Sequence, residues 1–158
     1  MALVQLYATY SFADVIATIS GPGGHFTIAG LETAAAEEGI SLAWGEEADT
    51  MTIGSDGSAM HSMHASQSGT CTIRLMKTSP NNQRMAQLFT FQHRSSLLWG
   101  RNTITVADVV RGDMYTMRGC AWQRFPANSY AKVGNILEYE FNCSIITPNL
   151  GPGAPDGH

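Results

Sequence analysis

The first 73 residues contain no lysine or arginine; the first basic side chain is Arg74. Eight acids stand in that stretch: Asp14, Glu32, Glu37, Glu38, Glu46, Glu47, Asp49 and Asp56. All nine basic residues fall between Arg74 and Lys132, against only Asp108 and Asp113, and the tail returns to acid with Glu138, Glu140 and Asp156. The net charge of -4 therefore hides successive segments of -8, +7 and -3. Such segregation makes one part of a molecule complementary to another part, within the fold or on the next copy. Two readings follow. Either the segments interleave in one sheet and neutralise each other, or unlike faces of identical subunits meet head to tail.

Charge is scarce overall, at 14% of residues against roughly 25% in ordinary soluble domains. A surface of small polar residues suits a subunit that hides much of itself in an assembly, and it suits a secreted β-protein equally well. The three cysteines, Cys71, Cys120 and Cys143, are odd in number and share no close spacing, which argues against a disulfide framework and for a reducing compartment. Met1 to Tyr10 carries no basic n-region, so no secretory leader is expected. The apolar runs are too short to cross a bilayer, so no membrane association is expected. With no basic tail and a negative net charge, the chain is not built to grip nucleic acid by neutralising phosphates.

At 158 residues the chain is long enough to bury roughly two-thirds of its unfolded surface in one domain. The reading assigns residues 1–147 to that domain and 148–158 to a Pro/Gly-rich extension. Turn residues recur at short intervals, which predicts many strands. Phe12 to Ser20 places Val15, Ala17 and Ile19 on one side and runs into Gly21-Pro22-Gly23-Gly24, followed by His25 to Ile28. Ile40 to Trp44 is a further short strand. Thr50 to Ile53 and Ala59 to His64 flank Ser55-Asp56-Gly57-Ser58, a hairpin signature. In Thr70 to Met76, Cys71, Ile73 and Leu75 alternate against Thr70, Thr72 and Arg74.

The period then changes. Ser79 suits an N-cap, Pro80 a first helical position, and Met85, Leu88 and Phe89 recur at helical spacing, predicting one helix over about 80–91. Strands resume at Thr103 to Asp108, with Ile104 and Val106 inward, and at Met114 to Gln123. Leu137, Tyr139, Phe141, Cys143 and Ile145 alternate against Glu138, Glu140, Asn142 and Ser144. The expected fold is mainly β: an antiparallel β-sandwich or partly closed barrel with one flanking α-helix.

The chemistry-bearing residues do not converge. His61 and His64, with Met60 and Met63 beside them, are the best metal candidates, but an odd spacing on a strand puts the two imidazoles on opposite faces. Glu37-Glu38 and Glu46-Glu47 are adjacent acids in polar surroundings, without the apolar neighbours that raise a catalytic carboxyl. Trp44, Trp99 and Trp122 suggest either a sugar platform or core and interface anchors. Gly21 to Gly24 lacks the Lys-Ser/Thr and the helix of a phosphate loop. Cys120 reads as a small core residue and Arg111-Gly112-Asp113 as a turn. No catalytic, cofactor-binding or metal-binding residue is assigned, and no cofactor is expected.

Five segments taken together carry a resemblance: ATISGPGG (Ala17 to Gly24), AAEEGIS (Ala35 to Ser41), DTMTIGSDG (Asp49 to Gly57), MHSMHASQSGTCTIRLMKTSP (Met60 to Pro80) and LLWGRNTITVADVVRGD (Leu97 to Asp113). In this order and spacing they resemble the tail tube proteins of contractile-tailed bacteriophages, over about Tyr10 to Ile146. The chain departs from the pattern in its residues before Tyr10 and in its Pro/Gly end. The resemblance implies a structural virion protein without catalytic residues. Its copies would form homo-hexameric rings stacked into a hollow tube, with sheath, baseplate and tape-measure proteins as partners. Genomic DNA would leave through the bore without specific binding. It also implies location in the virion tail after synthesis in the bacterial host cytoplasm. Lys or Arg in a bore would create sticky sites for phosphate, whereas acidic or neutral side chains let a duplex slide. The bore-lining candidates are therefore Asp49 and Asp56 on the Thr50 to His64 hairpin, with Glu138 and Glu140 next. Two other readings stand beside this one: the tube of a related secretion or contractile-injection machine, and a carbohydrate-binding β-sandwich or minor glycosidase.

Overall fold

The computed structural model describes residue 11, residues 14–29 and residues 35–151. Met1 to Tyr10, Phe12, Glu32, Asp156 and most of the Pro/Gly-rich end lie outside the described residues. In chain order the elements are β1 (Val15–Gly21), β2 (Gly24–Ala29), β3 (Ala35–Trp44), β4 (Asp49–Ile53), β5 (Ala59–Met63), β6 (Gly69–Met76), α1 (Asn81–Gln92), β7 (Asn102–Asp108), β8 (Asp113–Arg124) and β9 (Ile136–Asn149). Seven strands form one sheet in the order β2-β1-β7-β8-β9-β6-β3, antiparallel at every pairing, and β4 and β5 form a separate ribbon. The sheet curls into a half-barrel. Of the two architectures expected from the strand pattern, the partly closed one is formed.

Period-two alternation decides which face is inside. Ala17, Ile19, Cys71, Ile73, Leu75, Ile104, Met117, Tyr139 and Phe141 are buried on one face, and α1 adds Met85 and Leu88 to the same core. Phe89 stacks on Phe125 and meets Trp99 and Trp122 edge-on, closing that end of the core. Pro80 already has helical angles (φ -65°, ψ -18°), and the Ser79 hydroxyl accepts from the Asn81 amide at 3.2 Å. The helix runs from Asn81 to Gln92, one residue later at each end than expected; Pro80 rather than Ser79 takes the N-cap position, and Ser79 supports the first turn through its hydroxyl.

One expectation about β9 is corrected. The alternation Leu137, Tyr139, Phe141, Cys143 does not continue to Ile145, which is exposed, while Ile146 is buried instead. The phase slips because β8 and β9 bend together. Cys120 pairs with Cys143 and Met117 with Ile146, so buried residues lie three apart on both strands. Between them Gly119 has φ +63°, a left-handed conformation that costs other residues strain. Gly69 opposite Cys143 has no side chain, and a Cβ there would press on Ile146 Cδ1 at 2.6 Å. The space that Gly69 leaves is filled by Ile146. Strand β9 continues through Pro148 and Asn149 along β8 alone, since β6 has already ended at Gly69. Proline is tolerated there because, among the described residues, no strand pairs with β9 on that side.

Candidate assembly surfaces

Sheet order interleaves the charged segments of the chain. Strands β7 and β8 come from the basic segment, although only β8 carries arginines; they lie between β1 of the acidic segment and β9, and Arg74 on β6 sits opposite Glu138 on β9. Arg74 Nε lies 3.6 Å from Glu138 Oε2, and Arg74 Nη1 also donates to Ser41 Oγ at 2.8 Å. Arg124 Nη2 lies 3.9 Å from Glu140 Oε2. Glu138 and Glu140 therefore sit on the outward face of the sheet, as expected, but in company with arginines. These pairs are part-exposed and add at most about 1 kcal/mol each. Two such pairs between charge segments form within the sheet, in the manner of the first of the two charge readings.

Arg118, exposed opposite Ile145, is a further charge on that outward face; the rest of it is hydroxyl-rich and neutral. Thr27 pairs with Thr18, Thr18 with Thr105, Thr105 with Thr116 and Thr116 with Thr147. Directly paired residues share a face, so five threonines cross five strands in one row. Beside it, Ser20 faces Thr103, and Ala43, Thr70, Asn142 and Ala121 form a second row. Alternation within each strand is legible in the sequence; the alignment of threonines from separate strands is not. Register between distant strands creates the row.

The β4–β5 ribbon is a different surface. Asp49 pairs with Met63, Thr50 with Ser62, Met51 with His61, Thr52 with Met60 and Ile53 with Ala59. Its turn is closed by Gly54 N–H to Ser58 O at 2.7 Å, with Gly57 at φ +89°. The Ser58 hydroxyl and amide both donate to Asp56 Oδ1 and hold its carboxyl below the usual carboxylate range. Every residue of both strands is exposed, including Met51, Ile53, Met60 and Met63. An isolated two-stranded ribbon is marginal in water, and its four large apolar side chains remain more than half exposed.

The two histidines occupy opposite faces of the ribbon, as their spacing predicted. His61 Nδ1 lies 2.8 Å from Asp49 Oδ2, while His64 Nε2 lies 2.6 Å from Thr50 Oγ1. Among the described residues no three His, Cys, Asp or Glu side chains are grouped to hold a metal ion. At the ribbon's base a groove of about 500 Å³ is lined by Trp44, Met63, His64, Ile146 and Pro148. Trp44 is half exposed there, whereas Trp122 is buried and Trp99 packs on Phe89 and His93, so the three tryptophans form no common platform. A second cleft, of about 540 Å³, lies between the Gly23 turn and α1 and carries His25 and Arg84.

The other singled-out groups are structural. Asp108 Oδ1 accepts from the amides of Val110 and Arg111 at 3.2 Å, and Asp113 Oδ1 accepts from the Gly151 amide, so Arg111-Gly112-Asp113 is a tied turn between β7 and β8. Sequence reasoning missed the buried amides. Gln92 and Asn102 exchange two hydrogen bonds, and Asn81 Nδ2 donates to the carbonyls of Thr27 and Ile28. The available signal was the helical spacing Asn81, Met85, Leu88, Gln92, an inward stripe with an amide at each end.

Comparison with known proteins agrees with this architecture. Residues 7–151 match the family described as Bacteriophage PhiTE tail tube protein. No curated protein sequence matches the chain. Among solved structures, a chain from the PVC sheath-tube complex of an extracellular contractile injection system superposes with a TM-score of 0.59 at 10% identity, covering 94% of this chain and 95% of that one. A chain from the sheath/tube terminator of the same kind of system gives 0.54 at 11% identity, with 91% and 99% covered. One from the tube-terminating cap of the anti-feeding prophage gives 0.53 at 9% identity, with 96% and 100% covered. At such identities the likeness is one of fold. The family match spans nearly the whole chain, and the protein belongs to the Bacteriophage PhiTE tail tube protein family.

Proposed function

We propose that this tail tube protein polymerises as homo-hexameric rings stacked into a tube inside a contractile sheath, and that genomic DNA leaves through its bore. The single observation that carries the reading is the exposed β4–β5 ribbon, whose Met51, Ile53, Met60 and Met63 are each more than half exposed. A sister copy supplies the missing surface, in the way that heterologous contacts build rings and open filaments. The hydroxyl rows of the sheet supply the other requirement. On a face of threonines, Arg74 and Arg124 are set against Glu138 and Glu140, which leaves Arg118 as the cation there that no acid faces among the described residues; a duplex passing it meets mostly neutral hydroxyls.

Of the four proposed bore residues, Glu138 and Glu140 have the stronger support because they belong to that face. Asp49 and Asp56 sit on the ribbon, whose apolar side chains suit contact between copies; their carboxylates line the bore if the ribbon tip turns inward. Baseplate and tape-measure proteins are the further partners proposed, with synthesis in the host cytoplasm and location in the virion tail. In this reading the chain carries no catalytic activity.

Electron microscopy of the purified protein at rising concentration tests the proposal. Six-fold rings or tubes with Glu138 and Glu140 facing the bore are expected; a tube wall with Arg74 and Arg118 as its dominant unpaired inner lining overturns the electrostatic part. The fold likeness to extracellular injection machines favours one second reading, a tube that delivers a cargo other than a genome. Neighbouring genes for a capsid favour the phage, and a secretion cluster favours the machine.

A further inference from the structure

Cys120 and Cys143 are direct cross-strand partners on β8 and β9, both buried, with their sulfurs 3.2 Å apart. We propose that they are a latent disulfide, a modification site that staples β8 to β9 at their common bend once the protein meets a two-electron oxidant of the hydroperoxide class. Geometry carries the inference. Directly opposed residues of an antiparallel pair have Cα atoms about 4.5–5.5 Å apart, inside the range a disulfide spans, so bond formation asks for side-chain rotation and no backbone shift.

The two thiols are not equivalent. The Cys120 thiol donates to the Cys143 sulfur; this pushes Cys120 up, together with burial, and lowers Cys143. The accepting sulfur, Cys143, is the better placed of the two to react first as thiolate. It displaces water from the peroxide to become a sulfenic acid, and the Cys120 sulfur then attacks that sulfur and releases a second water. In total, two thiols and one hydrogen peroxide give one disulfide and two waters. Cys71, also buried, pairs with Phe141 across the strand and its thiol is pushed up by desolvation, so it is left out of the bridge.

The test is peptide mapping of the full-length protein after hydrogen peroxide treatment, with thiols blocked before and after reduction. The expected product is an intrachain Cys120–Cys143 crosslink lacking two hydrogens, with Cys71 still alkylated, and a higher urea midpoint that reverts on reduction. The Cys71→Ser protein should give the same crosslink, and Cys120→Ser should give none. Three free thiols after prolonged exposure, oxidation of Cys143 beyond sulfenic acid without a crosslink, or a bridge through Cys71 or between chains would each overturn the proposal. If the variants do not fold, mapping of the unsubstituted protein still decides.

Discussion

Gln92 at the end of α1 and Asn102 at the start of β7 form a reciprocal amide pair, with Gln92 Nε2 donating to Asn102 Oδ1 at 2.6 Å and Asn102 Nδ2 donating to Gln92 Oε1 at 2.8 Å. Both residues are fully buried. Gln92 Nε2 also donates to Pro22 O, Asn102 Nδ2 to Cys120 O, and Trp122 Nε1 to Gln92 Oε1. The pair thereby fastens the helix to the β1–β2 turn, β7 and β8. Gln92→Leu should cost about 2–4 kcal/mol by urea unfolding, because it strands the Asn102 amide and the Trp122 indole N–H. The double change Gln92→Leu with Asn102→Leu should cost less than the sum of the single ones.

Substitution on the ribbon should separate folding from assembly. Met60→Asp with Met63→Asp should leave monomer stability within about 0.5 kcal/mol, since both side chains are exposed. The same protein should fail to form tubes by electron microscopy. Retention of normal tubes would remove the ribbon from the contact.

The bend shared by β8 and β9 depends on Gly119. A Cβ at this position meets Ser144 Oγ at 2.7 Å, and the φ of +63° is unfavourable for a branched residue. Gly119→Val should destabilise by roughly 1–3 kcal/mol in thermal or urea unfolding. Adding Ser144→Gly should recover only the part due to the clash, because the backbone strain stays.

Alkaline stability should report on Tyr139. Its hydroxyl donates to Asn82 Oδ1 at 2.8 Å, and burial pushes its pKa from 10.0 up to about 12. Above pH 10 the unfolded chain loses this proton while the folded chain keeps it. The contribution is therefore complete below about pH 10, declines as pH rises, and is exhausted beyond about pH 12. The loss amounts to roughly 2–3 kcal/mol. Tyr139→Phe should flatten that part of the profile while costing about 1 kcal/mol at neutral pH through the lost hydrogen bond.

The Arg74–Glu138 pair offers a check on the bore. Arg74→Gln should change monomer stability by less than about 1 kcal/mol, as a part-exposed pair predicts. Glu138→Lys should instead leave tubes intact but slow release of DNA, measured as dye-accessible genome after triggered ejection, with the slowing relieved by added salt. Unaltered ejection would take Glu138 out of the bore.

Much of this protein was legible in one dimension. Alternation in Thr70 to Met76 and in Leu137 to Cys143, the Asp56-Gly57 turn and the Ser79-Pro80 helix start each depend on local geometry, which neighbouring residues impose through period, φ and capping. The family resemblance rests in part on these short segments, Thr70 to Met76, the Asp56-Gly57 turn and Ser79-Pro80 among them. Tertiary structure alone decided the rest. Whether Ile145 or Ile146 enters the core depends on Gly119 and Gly69, two glycines on other strands. The Thr27–Thr18–Thr105–Thr116–Thr147 row, the Arg74–Glu138 pairing and the Cys120–Cys143 approach all arise from strand register. Register is set by how the whole buried face packs, so residues far apart in the chain become neighbours only when the sheet closes.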